Sequence, residues 1–435
     1  MTQAKNQTAR LSTRQSIAVG ITLFSMFFGA GNLILPSLTA LQAGTSAIPA
    51  VAGFLVAGIG LPIMGIIAVA LVGTARELAG RVHPTFSLVF VTAIYLSIGP
   101  CLAIPRTSST AFEMLIPLLP AGMPVGVAQA AFSVVFFAVA FVLALRPTTL
   151  TRLLGRITGP ALIVLIVAVV GSAIIDPAGT PQAPLAPFDN APAIQGFLSG
   201  YQTMDLLASL TFGLVIAENI RGLGVTDDKG LTREISRAGV VTGVLMGLVY
   251  CGLAFVGATF GSVMPNATNG AAILTASATM HFGVAGTVVV AAIYLLACLN
   301  VCIGLISCCG TYFAETFGAA APDPSRHALG RVSYPAWAAA FAAFSCVLSN
   351  FGLDAILAFS VPLLGALYPI SIVLVIMGMA HRACDAVPRV WPWVTGVVAV
   401  LSVAGALRDA LVPGLALPNA YFTLKRLRSL VKWAL

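Results

Sequence analysis

Charge is what this sequence has least of. Only 8% of its 435 residues are Asp, Glu, Lys or Arg, whereas a soluble domain carries about 25%. With 59% hydrophobic residues and a mean hydropathy of +1.00, a water-solvated globule is excluded and the lipid bilayer is the expected solvent. Histidine is scarce too: there are four, with neither an HExxH nor an equivalent metal-ligand spacing among them. No Walker A sequence occurs, so the chain has no phosphate loop with which to drive itself by ATP. No nucleophile–base pairing stands out. These gaps argue against an enzyme, a resident cofactor and an ATP-driven pump. The eight cysteines lie in or beside apolar runs without zinc spacing; they read as reduced packing residues rather than a disulfide framework. The net charge of +8 does not signal nucleic acid, because it follows from where the few charges lie.

A bilayer is crossed by about 20 apolar residues. Such runs recur at roughly 16–42, 48–74, 84–104, 124–145, 157–176, 200–218, 235–260, 284–313, 331–349, 352–380 and 390–412. This predicts an all-α polytopic membrane protein of eleven spans. The first run is longer than a signal-peptide core and lacks a clear cleavage site. If the N-terminus is cytoplasmic, Lys5, Arg10, Arg14 and nearly all loop arginines fall on that side, and only Arg106 and Arg408 fall outside. The tail residues Lys425, Arg426, Arg428 and Lys432 break the rule. Either the tail folds back, as an amphipathic interfacial helix would, or a twelfth span is missing or altered.

The segment between the fifth and sixth spans has many prolines and no Lys or Arg, and reads as an extracellular connection. A second set of five spans beyond it would repeat the first set inverted, with the binding site where the first helix of each set is broken. The chain then divides into an N-terminus (1–15), a first repeat (16–176), a connection (177–199), a second repeat (200–380) and a last span with the basic tail (381–435).

The first span carries "FFGAGNLILP". Gly29, Ala30, Gly31 and Asn32 lie near mid-span, and Pro36 follows. Glycine eases departure from helical geometry and proline removes a donor. Two readings stand: a mid-membrane break whose freed N–H and C=O groups suit a carboxylate and a cation, or close helix packing through small residues. A dinucleotide-binding reading fails, because the third glycine is lacking. In the sixth span Ser209, Thr211, Phe212 and Gly213 offer either a matching break or hydroxyls bonded to their own helix. In the eighth span Asn300 and Ser307 share a face, as cation ligands or as an interhelical hydrogen bond. Asp205, inside the sixth span, is an intramembrane carboxylate and so a functional candidate. Arg106 is expected to pair with Asp205, Glu113 or Asp354 as part of an outer gate, or to form a static ion pair.

Several motifs in order, "FFGAGNLILP", "IGPCLAIPRTSSTAFE", "GYQTMDLLASLTFGLVI", "NGAAIL", "VLSNFGL" and "SVPLLGALYP", make the chain resemble the branched-chain amino acid:cation symporters of bacteria. The resemblance runs from about Ser16 to about Val412. It implies the five-plus-five inverted-repeat fold of the leucine-transporter type in the bacterial inner membrane. It also implies uptake of leucine, isoleucine and valine with sodium as coupling ion; an uncoupled facilitator or a non-transporting sensor are the alternatives. Carried over, Gly29, Ala30, Gly31 and Asn32 would hold the substrate backbone, with Ser209, Thr211, Phe212, Gly213 and Tyr95 completing the substrate site. Ala30, Asn32, Asn300 and Ser307 would bind the cation. Asn300 stands where relatives carry a hydroxyl. The resemblance leaves oligomeric state open.

Overall fold

The computed structural model describes residues 10–120, 122–145, 154–317 and 332–411. Among these the chain is all helix, without a strand. The first half runs α1 (Thr13–Phe27), α2 (Ala30–Ala43), α3 (Ala47–Leu55), α4 (Leu61–Val72), α5 (Ala75–Gly80), α6 (Pro84–Leu96), α7 (Ala103–Glu113), α8 (Val125–Ala144) and α9 (Gly159–Ile175). The second runs α10 (Pro192–Tyr201), α11 (Asp205–Gly222), α12 (Asp228–Thr259), α13 (Gly270–Phe282), α14 (Val284–Thr316), α15 (Tyr334–Ser349), α16 (Leu353–Met379), α17 (His381–Asp385) and α18 (Val390–Leu411). Polar side chains set several starts. Ser12 and Gln15 form a capping box at α1. Asp227 accepts from Gly230 N–H at 2.8 Å to open α12.

Each of the eleven apolar segments contains helix. By length and apolarity, however, eight helical stretches among the described residues can cross a membrane, or nine if α10 and α11, bent by 45°, form one broken span. The difference has physical causes. An interruption after Phe27 leaves α1 only 15 residues long, while Ala30–Val72 runs on as one apolar stretch. α15 has only 16 residues. The third segment also outruns its expected end at 104, since helical structure continues over Pro84–Leu118. Its polar "PRTSST" stays inside because the hydroxyls bond helix carbonyls: Thr107 donates to Ile104 O at 2.6 Å and Ser109 to Pro105 O at 3.2 Å. Arg106 therefore sits within the helix rather than at its outer end.

α1 and α11 pack on one another, with α12 and α14 against both and α4 along α11. Thr242 of α12 ties to α1 through Gly20 O at 2.9 Å. The outer helices turn apolar side chains outward: Val127 of α8 and Val164 of α9 are each 67% exposed, as lipid-facing residues are. The proline-bearing connection lies across the end of α2, where Thr45 N–H donates to Gln182 O and Leu185 N–H to Gln42 O. Its last third is not loop, because α10 starts at Pro192, so the sixth segment starts eight residues earlier than expected. On another face Arg81 pairs with Asp385 and lies over Trp391, whose indole N–H donates to Asp385 at 3.0 Å. The Arg81 hydrogen bond holds the Asp385 carboxyl below its usual range. An exposed pair of this kind adds little stability. The basic tail lies outside the described residues.

Candidate functional site

The first span is interrupted. Phe28 (φ −76°, ψ 88°) and Gly29 (φ −110°, ψ −167°) are non-helical, at the start of the expected Gly29–Asn32 break. α2 then continues through Pro36, so the proline does not itself mark the interruption. Asn32, in the first turn of α2, secures the new helix start. Its Oδ1 accepts from Gly29 N–H at 3.1 Å. Its Nδ2 donates to Asp205 Oδ2 at 2.6 Å and to Tyr250 Oη. Tyr250 Oη in turn lies 3.3 Å from Asp205 Oδ2. One buried amide thus joins α2, α11 and α12, a task that requires an acceptor and a donor on one short side chain.

The sixth span is interrupted as well, but not at Ser209–Gly213. α11 runs unbroken through those residues. Ser209 donates to Leu206 O at 2.6 Å and Thr211 to Ala208 O at 2.9 Å, which satisfies both hydroxyls within their own helix. Gly213 serves close packing, since an added Cβ would lie 2.9 Å from Val69 Cγ1. The break falls at Gln202–Met204, where Met204 adopts the left-handed conformation (φ 66°, ψ 7°). The sequence does carry a signal here: Thr203 and Asp205 together mark a helix start. Left-handed backbone is especially costly for β-branched side chains. Met204→Ile is therefore expected to melt below Met204→Leu by the equivalent of about 1 kcal/mol or more. Equal melting temperatures would contradict this backbone assignment.

The two breaks face a common cavity of about 50 Å³. Gly29 to Asn32 line it with Met26 and Phe27; Thr203, Met204, Asp205, Ala208 and Phe212 line it from the sixth span. Phe212 meets Phe27 edge to face, with centroids 5.1 Å apart. The third span contributes Ile98, Ala103, Arg106 and Thr107, which the sequence reading did not single out apart from Arg106. They reach the cavity because the chain kinks at Gly99 (φ −86°, ψ −122°) beside Pro100, a signal legible in "IGPC". α14 contributes Val301 and Leu305.

Other expected residues are placed differently. Asn300 and Ser307 are buried on α14 but do not line the cavity. Neither amide atom of Asn300 has a hydrogen-bond partner among the described residues. Tyr95 also stays off the cavity; its ring stacks on Tyr312 at 4.0 Å. Arg106 and Asp205 do share the cavity wall, yet no ion pair joins them among the described residues. Arg106 Nη1 instead donates to Gln202 O at 3.3 Å, and Asp205 is held by Asn32 and Tyr250. The expected Arg106–Asp205 pair is thus replaced by two separate sets of neutral partners.

Comparison with known proteins brings in a family. The model described as "Branched-chain amino acid transport protein" matches residues 12–425. The branched-chain amino acid permease BraB of Bacillus subtilis is 38% identical over 374 residues, covering 86% of this chain and 81% of that protein. The branched-chain amino acid transport system 2 carrier protein of Pseudomonas aeruginosa is 36% identical, covering 92% and 88%. Escherichia coli K12 has a branched-chain amino acid permease, BrnQ, 35% identical with 86% and 82% covered. Among solved structures, Mhp1, a nucleobase-cation-symport-1 family transporter in a closed conformation with bromovinylhydantoin bound, aligns with a TM-score of 0.57. That alignment covers 94% of this chain and 97% of the other at 14% identity. A manganese transporter of Eremococcus coleocola aligns with a TM-score of 0.52 at 14% identity, covering 96% and 93%. At such identities the likeness concerns the fold alone.

Proposed function

The chain belongs to the branched-chain amino acid transport protein family, and from that premise we propose that it imports leucine, isoleucine and valine by sodium-coupled symport. It is a multi-pass membrane transporter and not an enzyme, as its permease relatives are named. The observation that carries the reading is the meeting of two interrupted helices over one cavity. Each interruption exposes backbone groups that lipid would not tolerate and a ligand can use. At the N-terminus of α2, Gly29 N–H is taken by Asn32 Oδ1 and Asn32 N–H by Gly29 O, so Ala30 and Gly31 are the residues whose N–H groups, without an acceptor in the helix, suit the substrate carboxylate. Phe27, Ile98, Phe212 and Leu305 offer the branched side chain an apolar surface. In this reading the helices around the cavity part to load the substrate, as alternating access provides.

In this reading α1–α2 and α10–α11 are the broken first spans of two inverted five-span repeats. Lys and Arg concentrated on one side support a cytoplasmic N-terminus in a bacterial inner membrane. The coupling cation uses backbone carbonyls near Ala30 and Asn32 and an oxygen of α14. Asn300 is the candidate there, because its buried amide oxygen has no other partner among the described residues; Ser307 lies two turns further along the helix.

Purified protein in liposomes tests the proposal. Labelled leucine is expected to accumulate under an inward sodium gradient and to equilibrate only slowly without one. Uptake indifferent to sodium, lithium and protons alike would leave an uncoupled facilitator, and binding without uptake a sensor. Asn300→Ala is expected to raise the half-saturating sodium concentration about tenfold, the loss of one ligand to a charged group. Unchanged sodium dependence would remove Asn300 from the cation shell.

A further inference from the structure

We propose that Asp205 and Arg106 are the two poles of a zwitterion site, Asp205 taking the substrate's α-ammonium and Arg106 its α-carboxylate. The proposal rests on reading this cavity as the amino-acid site, and adds which chemical groups the cavity demands. Asp205 is 2% exposed and still borders the cavity. The hydrogen bonds it accepts from Asn32 and Tyr250 both end on Oδ2, and the Thr203 side chain is a third partner of the carboxyl. The donors are neutral, and no cation stands within ion-pairing distance among the described residues. A carboxylate buried in this way is costly until a positive group joins it.

The opposite pole is built from two positive parts. The Arg106 guanidinium has five N–H donors, and the hydrogen bond shown for it goes to Gln202 O. Its Nη2 rests over Gly31, 2.5 Å from the point a Cβ would occupy. The absence of a side chain at Gly31 is what lets the guanidinium reach the start of α2. A cation beside the positive end of a helix is an unfavourable arrangement, and an anion bound between them resolves it. Among the described residues the carboxylate therefore has no cation in direct contact and the guanidinium no anion, with apolar surface from Phe27, Phe212 and Leu305 around them. The matching ligand carries both charges on neighbouring atoms and an apolar tail: a free α-amino acid. Branched 2-oxo acids, amines and esters each leave one pole unpaired.

Competition with labelled leucine on the purified full-length protein tests this, with 4-methylpentanoate lacking the ammonium and 3-methylbutylamine lacking the carboxylate. Both analogues are expected to bind wild type at least about tenfold more weakly than leucine. In Asp205→Asn, leucine should fall to within about threefold of 4-methylpentanoate while keeping its margin over 3-methylbutylamine. In Arg106→Gln the two margins should exchange behaviour. Asp205→Glu and Arg106→Lys retain the charges and should retain the ranking. If leucine keeps both margins in both neutral variants, the pole assignment is overturned and the two residues act as a gate, with the transport reading intact. If wild type binds no leucine, both readings fail together. Should a neutral variant not fold, the wild-type arm still decides: either analogue binding as well as leucine overturns the proposal.

Discussion

Replacing Asn32 by aspartate is expected to lower leucine uptake at least about a hundredfold. Two of the three Asn32 contacts change at once. Gly29 N–H keeps an acceptor, but Asp205 Oδ2 and Tyr250 Oη both lose the Nδ2 donor that now serves them. A second carboxylate would stand at the 2.6 Å separation where an N–H···O bond now lies. Leaving buried groups unsatisfied costs about 1–3 kcal/mol each, and about 1.4 kcal/mol is a factor of ten. Like charges at this distance cannot both ionise, so the variant must take up a proton or pull α2 from α11. Combining Asn32→Asp with Asp205→Asn exchanges donor and acceptor and should restore the thermal stability of the detergent-solubilised protein. Uptake should stay low, because the carboxylate has moved from the start of α11 to α2. Uptake restored along with stability would show that the position of the charge does not matter.

That network also marks the limit of what the sequence discloses. "GAGN" permits a break in the first span, although close packing through small residues would leave the same pattern. It does not show that Asn32 reaches Asp205 and Tyr250, 173 and 218 residues away. In the sixth span the polar pattern misleads. Ser209 and Thr211 look exceptional in an apolar stretch, but a hydroxyl satisfies itself on the preceding turn and leaves no trace in the fold. The actual break at Met204 has a bulky residue in a conformation that glycine favours, so only the flanking Thr203 and Asp205 announce it. Tyr95 and Asn300 lie in the expected helices and miss the cavity by their facing. Helix rotation is set by packing against neighbours, which the spacing of one helix does not determine. Third-span residues such as Thr107 reach the cavity only because the chain kinks at Gly99.

The second large effect is expected far from the cavity floor, at Gly196. α10 crosses α3 so closely that a Cβ on Gly196 would stand 1.8 Å from Ala50 O, and one on Gly53 would stand 1.9 Å from Ala193 O. One turn further, Gly200 would meet Ala57 Cβ at 2.7 Å and Phe54 O at 3.0 Å. Gly196 and Gly200, four apart on α10, thus face Ala50 and Gly53 of α3 and Ala57 just beyond it, the arrangement by which membrane helices approach backbone to backbone. The atoms in the way belong to the main chain, which no rotamer change moves aside. Gly196→Ala must therefore push the helices apart, and overpacking of this kind costs about 1–3 kcal/mol. The displacement would travel, because α10 ends one residue before Gln202, whose carbonyl Arg106 holds. Both a lower melting temperature and impaired uptake are expected. Gly171→Ala in α9 is the control: nothing lies within 4 Å of its added Cβ, and alanine is the better helix former by about 1 kcal/mol. It should melt at or above wild type with uptake unchanged. If Gly196→Ala melts alongside Gly171→Ala, the α10–α3 contact is looser than described and cannot fix the outer half of the sixth span.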